Sequence, residues 1–256
     1  MSLSIVCELE KNTIVTNEYF ILQFTWKKPV PRAGQFFMVK PLRGSVLLPR
    51  PISVFEYIPQ TNTVKFLIQK KGRGTDELSC AQAGEKIQLT GPFGNSWSDF
   101  LPENGKAALV GGSAGVAPLA ALVSEKPDYY FHFFAGFKKG FKEKEQENAI
   151  MGHAVNSKRF SISAEDGGNA LIGKITDFLF SPQDFDVIFG CGPTTMLSVL
   201  KKKCEEKNVP CFISMENKFA CGTGACMGCT ITTTSGNRRC CMEGPIFSSR
   251  EVIFNE

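Results

Sequence analysis

The chain has 256 residues, of which 43% are apolar, enough to build two domains with cores of their own. Lysine and arginine number 29 against 25 acidic residues, and this net charge of +4 is too weak and too dispersed to indicate nucleic-acid binding. No apolar run approaches the ~20 residues of a membrane helix, so no membrane association is expected. Ten cysteines without a signal segment favour a reducing, cytoplasmic compartment over a disulfide framework.

Residues 1–98 predict an antiparallel β-barrel, with a β-sandwich as the alternative. Short strand-like stretches separated by turn signals follow one another here without a long helix: SIVCELE, YFILQFTW, QFFMVK, PISVFEY, TVKFLIQ and KIQLTG. In the second stretch, Phe20, Leu22, Phe24 and Trp26 alternate with the other residues. One face of that strand is therefore expected to belong to a core.

The tetrapeptide Arg50-Pro51-Ile52-Ser53 stands at the start of one of these strands. An arginine can pair with a diphosphate, a proline fixes a turn, and a serine hydroxyl suits a ring heteroatom. Taken alone, the tetrapeptide is as consistent with a chance match as with a site.

A second candidate is the glycine-rich turn over 70–78, KKGRGTDEL, which contains Gly74 and Thr75. Thr75 is predicted to be a helix N-cap, and the free N–H groups of such a helix start form an anion site. An ordinary turn and cap is the alternative. Together with Arg50, about twenty residues away in a barrel, the turn suggests a site for a flavin diphosphate.

Residues 99–215 predict a doubly wound parallel sheet, because strand-like and helical stretches alternate. The strands are AALVGG, YYFHFFAG, RFSISA, GKITDFLF and DVIFGCG, and helices are expected from Val116, near 141–151 and from Thr194. Residues 216–256 are predicted to form a short C-terminal cluster module. The predicted fold class is α+β, with two domains plus this module.

Two glycine-rich strand ends in this second part are candidate nucleotide sites. Gly111, Gly112 and Gly115 follow the first strand and open a helix, which lets a cofactor approach the backbone. The pattern is not G-x-G-x-x-G, so alone it is a weak signal. Cys191, Gly192 and Pro193 end a later strand, where ligands of parallel sheets bind. A buried core cysteine is the alternative for Cys191.

Four cysteines near the C-terminus, Cys221, Cys226, Cys229 and Cys241, follow the plant-type spacing C-x4-C-x2-C that holds a 2Fe-2S cluster, with a distant fourth ligand. A zinc site is the alternative, but zinc ribbons use two separated C-x2-C knuckles. The fourth ligand is ambiguous between Cys240 and Cys241. We favour Cys241, because it directly precedes the turn Met-Glu-Gly-Pro.

These motifs occur in the order seen in the ferredoxin reductase superfamily, which the chain resembles over nearly its whole length. They are RPIS, GRGT, GPFGN at 91–95, GGSAGVAPL, CGPTTM and the C-terminal cluster. The short cluster module fused directly after CGPTTM is most similar to the electron-transfer subunits of class 1B dihydroorotate dehydrogenases. An acidic, glycine-rich stretch over 164–177 is also similar, although Glu165-Asp166 replaces the usual pair of aspartates.

The resemblance implies an NADH-linked flavoprotein oxidoreductase with FAD, a 2Fe-2S cluster and NAD(H) as cofactors. The FAD contacts that it implies are Arg50, Pro51, Ile52, Ser53, Leu67, Ile68, Gln69, Gly74 and Thr75. The resemblance places nicotinamide between the Gly111 loop and Cys191. It implies two catalytic residues: Ser53, which would lie near flavin N5, and Cys191, which would line the gap for hydride transfer.

The implied partner is an FMN-containing dihydroorotate dehydrogenase catalytic subunit, in a heterotetramer that converts dihydroorotate and orotate in pyrimidine biosynthesis. Two alternatives remain open: a related reductase subunit serving a hydrogenase, a sulfide dehydrogenase or a ferredoxin, and a non-enzymatic redox-sensing module. Nucleotide preference is also open, because Lys138, Lys139 and Lys142 suit either a 2′-phosphate or solvent. The family favours NADH.

Overall fold

The computed structural model describes residues 3–27, 29–44, 46–168, 170–177, 181–216 and 218–254. Its first part is built from strands and one short helix. These are β1 (Leu3–Glu8), β2 (Lys11–Ile14), β3 (Tyr19–Thr25), β4 (Phe36–Pro41), β5 (Arg50–Ser53), β6 (Glu56–Ile58), β7 (Thr63–Gln69), α1 (Arg73–Ser79) and β8 (Lys86–Phe93). The predicted strand PISVFEY is divided into β5 and β6.

The strands of the first part form two antiparallel sheets of four strands, in the orders β1-β8-β4-β5 and β2-β3-β7-β6. The alternation predicted for β3 is confirmed, because Phe20, Leu22 and Phe24 are fully buried. Phe37 of β4 joins the two sheets, with its ring 4.8 Å from Trp26 and 5.4 Å from Phe66. The core of this part therefore lies between the sheets.

In the second part, strands and helices alternate. The elements are β9 (Lys106–Gly112), α2 (Val116–Glu125), β10 (Tyr130–Phe137), α3 (Lys144–Met151), β11 (Arg159–Ala164), β12 (Leu171–Ile172), β13 (Val187–Cys191), α4 (Thr194–Glu206) and β14 (Cys211–Ser214). The chain ends with β15 (Thr230–Thr233), β16 (Gly236–Arg239), α5 (Cys240–Glu243) and β17 (Ile246–Ser248). The prediction of a strand at GKITDFLF is wrong for residues 173–177, which form a turn. Residues 178–180 of that stretch lie outside the described ranges.

A seven-stranded sheet in the order β12-β11-β10-β9-β13-β14-β17 organises the second part. All its pairings are parallel except that of β17 with β14. Leu119 of α2 packs in one core cluster with Leu109 of β9, whereas Leu197 of α4 packs in another with Val110. Because successive strand residues face opposite ways, these helices cover different faces of the sheet.

Two features of this sheet determine where sites can form. The chain proceeds outward from β9 on one side and from β13 on the other, so a crevice opens between the carboxyl ends of these two strands. At the far edge, β17 comes from the predicted cluster module yet completes the sheet, with Ile213 opposite Phe247. Within the described residues, none of the helices is both long and apolar enough to cross a membrane.

Candidate functional site

The two candidate flavin motifs of the first part meet in the structure. Arg50 begins β5, and Gly74 lies in the first turn of α1. A Cβ atom on Gly74 would stand 2.5 Å from Cζ of Arg50, so only glycine leaves room for the guanidinium there. Nη1 of Arg50 also donates to the carbonyl of Leu48 at 3.1 Å. A cationic group is thus held beside the start of a helix, as a diphosphate requires.

The prediction that Thr75 caps this helix is wrong. Gly72 is the N-cap, and Thr75 is the third helical residue. Its hydroxyl accepts from the backbone N–H of Lys71 at 2.9 Å and of Gly72 at 3.3 Å, and donates to the carbonyl of Gly72 at 2.8 Å. The Thr75 side chain therefore stabilises the turn at the start of α1, because a threonine three residues after the N-cap can reach the backbone N–H groups that precede the helix.

The other residues assigned to FAD lie on β5 and β7. Ser53 stands opposite Phe36 of β4, and all four residues of β5 are half-buried. Leu67 and Ile68 are buried, so their side chains belong to the core. Gln69 differs, because its Oε1 atom is buried without a hydrogen-bond partner among the described residues. A buried acceptor without a partner is suited to accept a hydrogen bond from a bound cofactor.

Gln69 borders a cavity of about 470 Å³ between the antiparallel and parallel parts. Tyr19, Ser113 and Phe137 line it too. Burial raises the pKa of Tyr19 to about 12, while a hydrogen bond with Ser113 opposes that shift. The tyrosine is therefore a neutral hydrogen-bonding group throughout the neutral pH range. It anchors the first part of the chain to the glycine loop that follows β9.

The predicted glycine sites converge at the carboxyl ends of β9 and β13. A Cβ atom on Gly112 would stand 2.7 Å from Cδ of Pro193, and one on Gly192 would stand 2.9 Å from Cα of Gly112. Gly115 packs against the carbonyl of Cys191, and a Cβ on Gly111 would stand 3.0 Å from Cα of Val116. The two loops can approach this closely only because they lack side chains.

A cleft of about 250 Å³ opens beside these loops. Gly112 and Ser113 line it after β9, and Pro193 and Met196 line it after β13. This is the place where parallel sheets bind nucleotides. The bare backbone and the apolar wall fit a nicotinamide dinucleotide.

Cys191, which the sequence suggested for the hydride-transfer gap, is 1% exposed. It does not line the cleft in the described part of the chain. Burial raises the pKa of its thiol well above the usual range, with Glu216 adding to the rise, so the group is neutral at pH 7. The structure therefore places neither an exposed nor an ionised thiol at this end of β13.

Glu216 is an acidic residue near Cys191 that the sequence reasoning did not single out. It follows β14, and its charge acts on the thiol of Cys191. Although the side chain keeps contact with solvent, desolvation by the surrounding protein raises the pKa of its carboxyl, while Lys71 opposes that shift. An acidic residue two positions after a parallel strand was the signal available in the sequence.

Three of the four predicted cluster ligands interact through their sulfur atoms. Sγ of Cys229 lies 3.2 Å from Sγ of Cys241, and both residues are 2% exposed. Burial, followed by the neighbouring Cys229, raises the pKa of Cys241 to about 12. Cys221 also acts on Cys241 electrostatically. Buried thiols this close together are suited to bind a metal cation, which takes the place of their protons.

The loop between Cys221 and Cys229 favours a thiolate. Sγ of Cys221 accepts from the backbone N–H groups of Thr223 and Cys226, both at 3.4 Å. Burial opposes ionisation of Cys221, but these N–H groups outweigh it and lower the pKa of the thiol to about 6. Gly222 and Gly224 have φ of 72° and 79°, which the loop needs in order to turn its N–H groups inward. Cys226 is exposed at the outer side of this loop. Among the described residues, no three potential metal ligands lie close enough together to hold an ion as they stand.

The adjacent cysteines Cys240 and Cys241 begin α5, and after burial the neighbouring Cys229 raises the pKa of both thiols. The backbone N–H of Cys240 donates to the carbonyl of Cys229 at 3.1 Å, which fixes the start of this helix beside the loop. The sulfur of Cys241, in contrast, lies against that of Cys229. This arrangement supports Cys241 as the fourth ligand.

Comparison with known proteins defines the class to which this fold belongs. A structure from work on flavin-based electron bifurcation by NADH-dependent reduced ferredoxin-NADP oxidoreductase aligns with a TM-score of 0.78 and 22% identity, over 97% of this chain and 90% of that one. A ferredoxin NADP+ reductase from Neisseria gonorrhoeae aligns with a TM-score of 0.63 and 14% identity, over 79% and 91%. The fold is therefore that of the ferredoxin reductases. Residues 216–253 match the family described as the iron-sulfur cluster binding domain of dihydroorotate dehydrogenase B.

Similarity to curated proteins then identifies the family. The dihydroorotate dehydrogenase B (NAD(+)) electron transfer subunit of Clostridium acetobutylicum is 38% identical, over 88% of this chain and 87% of its own length. That of Caldanaerobacter subterraneus is 32% identical, over 95% and 96%. The chain belongs to the family of dihydroorotate dehydrogenase B electron transfer subunits.

Proposed function

We propose that the chain transfers electrons from NADH, through FAD and a 2Fe-2S cluster, to the FMN-containing catalytic subunit of a dihydroorotate dehydrogenase. The cofactors supply the redox chemistry when bound, since nicotinamide gives a hydride, flavin releases electrons singly, and the cluster accepts them one at a time. The residues of the chain bind these groups, orient them and exclude solvent. Ser53 would donate a hydrogen bond near flavin N5.

The observation that carries this proposal is the contact between the cluster loop and the strand beside the flavin motif. β4 pairs with β5, which bears Arg50–Ser53. On β4, the ring of Phe36 lies 5.1 Å from that of Phe219, two residues before the first cluster cysteine. A Cβ atom on Gly222 would stand 2.8 Å from Cγ of Met38. A single strand thus separates the proposed flavin from the cluster, which favours direct electron transfer.

We assign FAD to the two antiparallel sheets of 1–98, NADH to 99–215, and the cluster to 216–256. For 1–98 we propose a barrel, and for 99–215 a doubly wound sheet. The FAD contacts are those named from the resemblance, with the backbone of Leu67 and Ile68 and the amide of Gln69. The nicotinamide contacts are the loops Gly111–Gly115 and Cys191–Pro193. Support comes from the apposed glycines and the unpartnered Gln69 acceptor.

Delivery to a partner requires an exposed cluster edge. Met227, with φ of 58°, is 55% exposed in the cluster loop, and Met242 on α5 is 55% exposed beside Gly224. Flexible apolar side chains of this kind suit a docking surface. Phe219, two residues before the first cluster cysteine, packs on Phe36 and is therefore not assigned to this surface. We propose that Met227 and Met242 touch the catalytic subunit in a cytoplasmic heterotetramer, with no role for nucleic acid or membranes.

Reconstitution with the FMN-bearing catalytic subunit from the same organism tests this function. Neither chain alone should reduce orotate with NADH, whereas the mixture should. A mixture that forms no complex, while the chain passes electrons rapidly to a ferredoxin or hydrogenase, would assign it to another partner. Protein isolated anaerobically should contain about one FAD, two irons and two labile sulfides per chain. Stoichiometric zinc in place of iron would contradict the cluster assignment.

A further inference from the structure

The motif GPFGN at 91–95 ends in a residue that contacts the cluster module. Asn95 lies two residues after β8, and Ile246 begins β17. Nδ2 of Asn95 donates to the carbonyl of Ile246 at 2.8 Å, and the backbone N–H of Ile246 donates to Oδ1 of Asn95 at 3.0 Å. The backbone N–H of Asn95 also donates to the carbonyl of Gly244 at 2.8 Å. Three hydrogen bonds thus join one residue of the antiparallel part to the segment that follows Cys241.

The side chain of Asn95 bonds to the outer edge of the seven-stranded sheet. β17 is the last strand of that sheet, so only one of its sides pairs with β14. In an antiparallel strand, the N–H and the carbonyl of one residue point to the same side. Those of Ile246 both bond to Asn95, whereas the carbonyl of the preceding Pro245 accepts from Met215, just after β14. The amide of Asn95 therefore pairs with β17 as a neighbouring strand would.

The packing around these hydrogen bonds is close. Gly94 has φ of 85°, and a Cβ atom on it would stand 2.4 Å from Cδ of Pro245 and 2.9 Å from the carbonyl oxygen of Gly244. A Cβ atom on Gly34 would stand 2.8 Å from Cδ1 of Ile246. The backbones can approach this closely because both positions lack a side chain. The fit leaves little room for the two segments to slide against each other.

A second side chain connects Asn95 to the proposed flavin site. Nε2 of Gln35 donates to the carbonyl of Gly94 at 2.8 Å, and the backbone carbonyl of Gln35 accepts from the N–H of Val54 at 2.9 Å. Val54 directly follows Ser53, the residue that we assign to flavin N5. A continuous set of hydrogen bonds therefore runs from the end of β5, through Gln35, to Asn95 and the cluster module.

We propose that Asn95 is a positioning residue, which holds the cluster-bearing segment at a fixed distance from the flavin. This inference rests on the proposed function and explains how the two cofactor sites keep their separation. Cys241, the proposed fourth ligand, lies shortly before Gly244 and Ile246, so a shift of these two residues is passed to the ligand. Because a step between two held groups is sensitive to a misplacement of about 1 Å, loss of the contact should slow electron transfer from the flavin to the cluster.

Asn95→Ala in the holoprotein tests the proposal by two independent measurements. Hydrogen exchange at the Ile246 amide, followed by mass spectrometry, should become about tenfold faster, because the substitution removes its acceptor. In stopped-flow experiments, NADH should reduce the flavin at the wild-type rate, whereas transfer from the flavin to the cluster should slow about tenfold. The EPR signal of the reduced cluster should keep its shape, because no cluster ligand is altered.

A second variant acts at another point of the same set of hydrogen bonds. Gln35→Ala removes the bond to the carbonyl of Gly94 and leaves Asn95 in place. It should slow the transfer from flavin to cluster, while the Ile246 amide keeps its protection. This variant decides the question if Asn95→Ala does not retain its cofactors.

Asn12→Ala is the matched control. Nδ2 of Asn12 donates to the carbonyls of Ser79 and Ala81 at 2.9 and 2.8 Å, so this substitution also removes two hydrogen bonds of a half-buried amide. All three residues belong to the antiparallel part, and none of them contacts the cluster module through these bonds. The control should leave both the exchange at Ile246 and the transfer rate unchanged.

Three results would overturn the proposal: unchanged exchange at Ile246 in Asn95→Ala, a wild-type transfer rate in Asn95→Ala or Gln35→Ala, or equal slowing in Asn12→Ala. In each of these cases the proposed function stands as long as the wild-type holoprotein passes electrons from NADH through the flavin to the cluster. A wild-type holoprotein whose reduced flavin does not reduce the cluster would contradict the function as well.

Discussion

Nε2 of His153 lies 2.7 Å from Oε1 of Glu56. Glu56 belongs to β6 in the antiparallel part, whereas His153 lies just after α3 in the parallel part. Nζ of Lys65 approaches the other carboxylate oxygen of Glu56 at 2.7 Å. The side chain of Glu56 is 15% exposed, so this contact between the two parts is largely screened from solvent.

The first prediction concerns the pH dependence of this contact. The hydrogen bond from His153 lowers the pKa of Glu56 from 4.5 to about 2, against the opposing effect of burial and with help from Lys65. A lowered pKa in the folded state stabilises the protein above the unfolded value of 4.5, and that stabilisation is lost as the pH falls towards 2. Glu56→Gln should therefore lower the free energy of unfolding at pH 7 by about 1–2 kcal/mol, after allowance for solvent screening.

Urea unfolding of the variant and the wild type between pH 7 and about 3 measures this difference. The gap between them should shrink as the pH falls. Glu251→Gln is the control, because the ion pair of Glu251 with Arg238 is more exposed and should contribute little. An equal gap at every pH would show that ionisation of Glu56 is not the cause.

The second prediction concerns Gly74→Ala. The new methyl group would displace the guanidinium of Arg50, which is the far end of a flexible side chain, so the fold should lose little stability. The FAD content after purification should fall, because the displaced cation no longer faces the diphosphate. Absorbance at the flavin bands measures this loss.

Gly84→Ala is the companion variant. Gly84 has φ of 87° and open space around its Cβ position. The substitution should cost about 1 kcal/mol in backbone strain and leave the FAD content unchanged. Equal FAD loss in both variants would mean that general destabilisation, rather than the position of Arg50, controls flavin binding.

The third prediction separates the adjacent cysteines. Cys241→Ser should lose the cluster or destabilise it severely, whereas Cys240→Ser should keep a nearly normal visible spectrum. Cys241 is 2% exposed and Cys240 is 0% exposed, so the two substitutions should destabilise the fold to a similar extent. A difference in cluster content between the variants therefore reports which cysteine is the ligand. Iron and sulfide analysis after anaerobic purification provides the measurement. The reverse outcome would assign the fourth ligand to Cys240.

The fourth prediction addresses Ser53. Ser53→Ala should slow flavin reduction by NADH more than it weakens FAD binding, because one neutral hydrogen bond contributes about 1 kcal/mol to a large cofactor interface. Stopped-flow absorbance and FAD titration measure the two effects. An unchanged reduction rate would indicate that Ser53 only shapes the end of β5.

The fifth prediction concerns docking. Met227→Asp should weaken the complex with the catalytic subunit at least tenfold and leave the cluster spectrum unchanged, because a charge would be desolvated at an apolar contact. Val30→Asp is the control, since Val30 is also 55% exposed. Analytical ultracentrifugation gives the affinity. Equal weakening in both variants would place the docking surface elsewhere.

The sequence predicted the features that depend on local pattern. Alternation located the buried face of β3, and the cysteine spacing indicated the region that the iron-sulfur family matches. Thr75 was misplaced by a local ambiguity, because Gly72 three residues earlier takes the cap position. A distant contact was missed as well, since the closeness of Glu216 to Cys191 depends on how two strands of the sheet pair.

The placement of β17 on β14 has a consequence for the life of the cluster. The backbone N–H of Met215, just after β14, donates to the carbonyl of Pro245, just before β17, at 2.8 Å. The segment that carries the cluster cysteines is therefore a long loop whose two ends are held side by side on the same sheet. If the irons were lost by oxidation, the loop would become free but its ends would stay in place. Rebinding of the cluster would then cost little loop-closure entropy. We therefore expect a lost cluster to be rebuilt without unfolding of the rest of the chain.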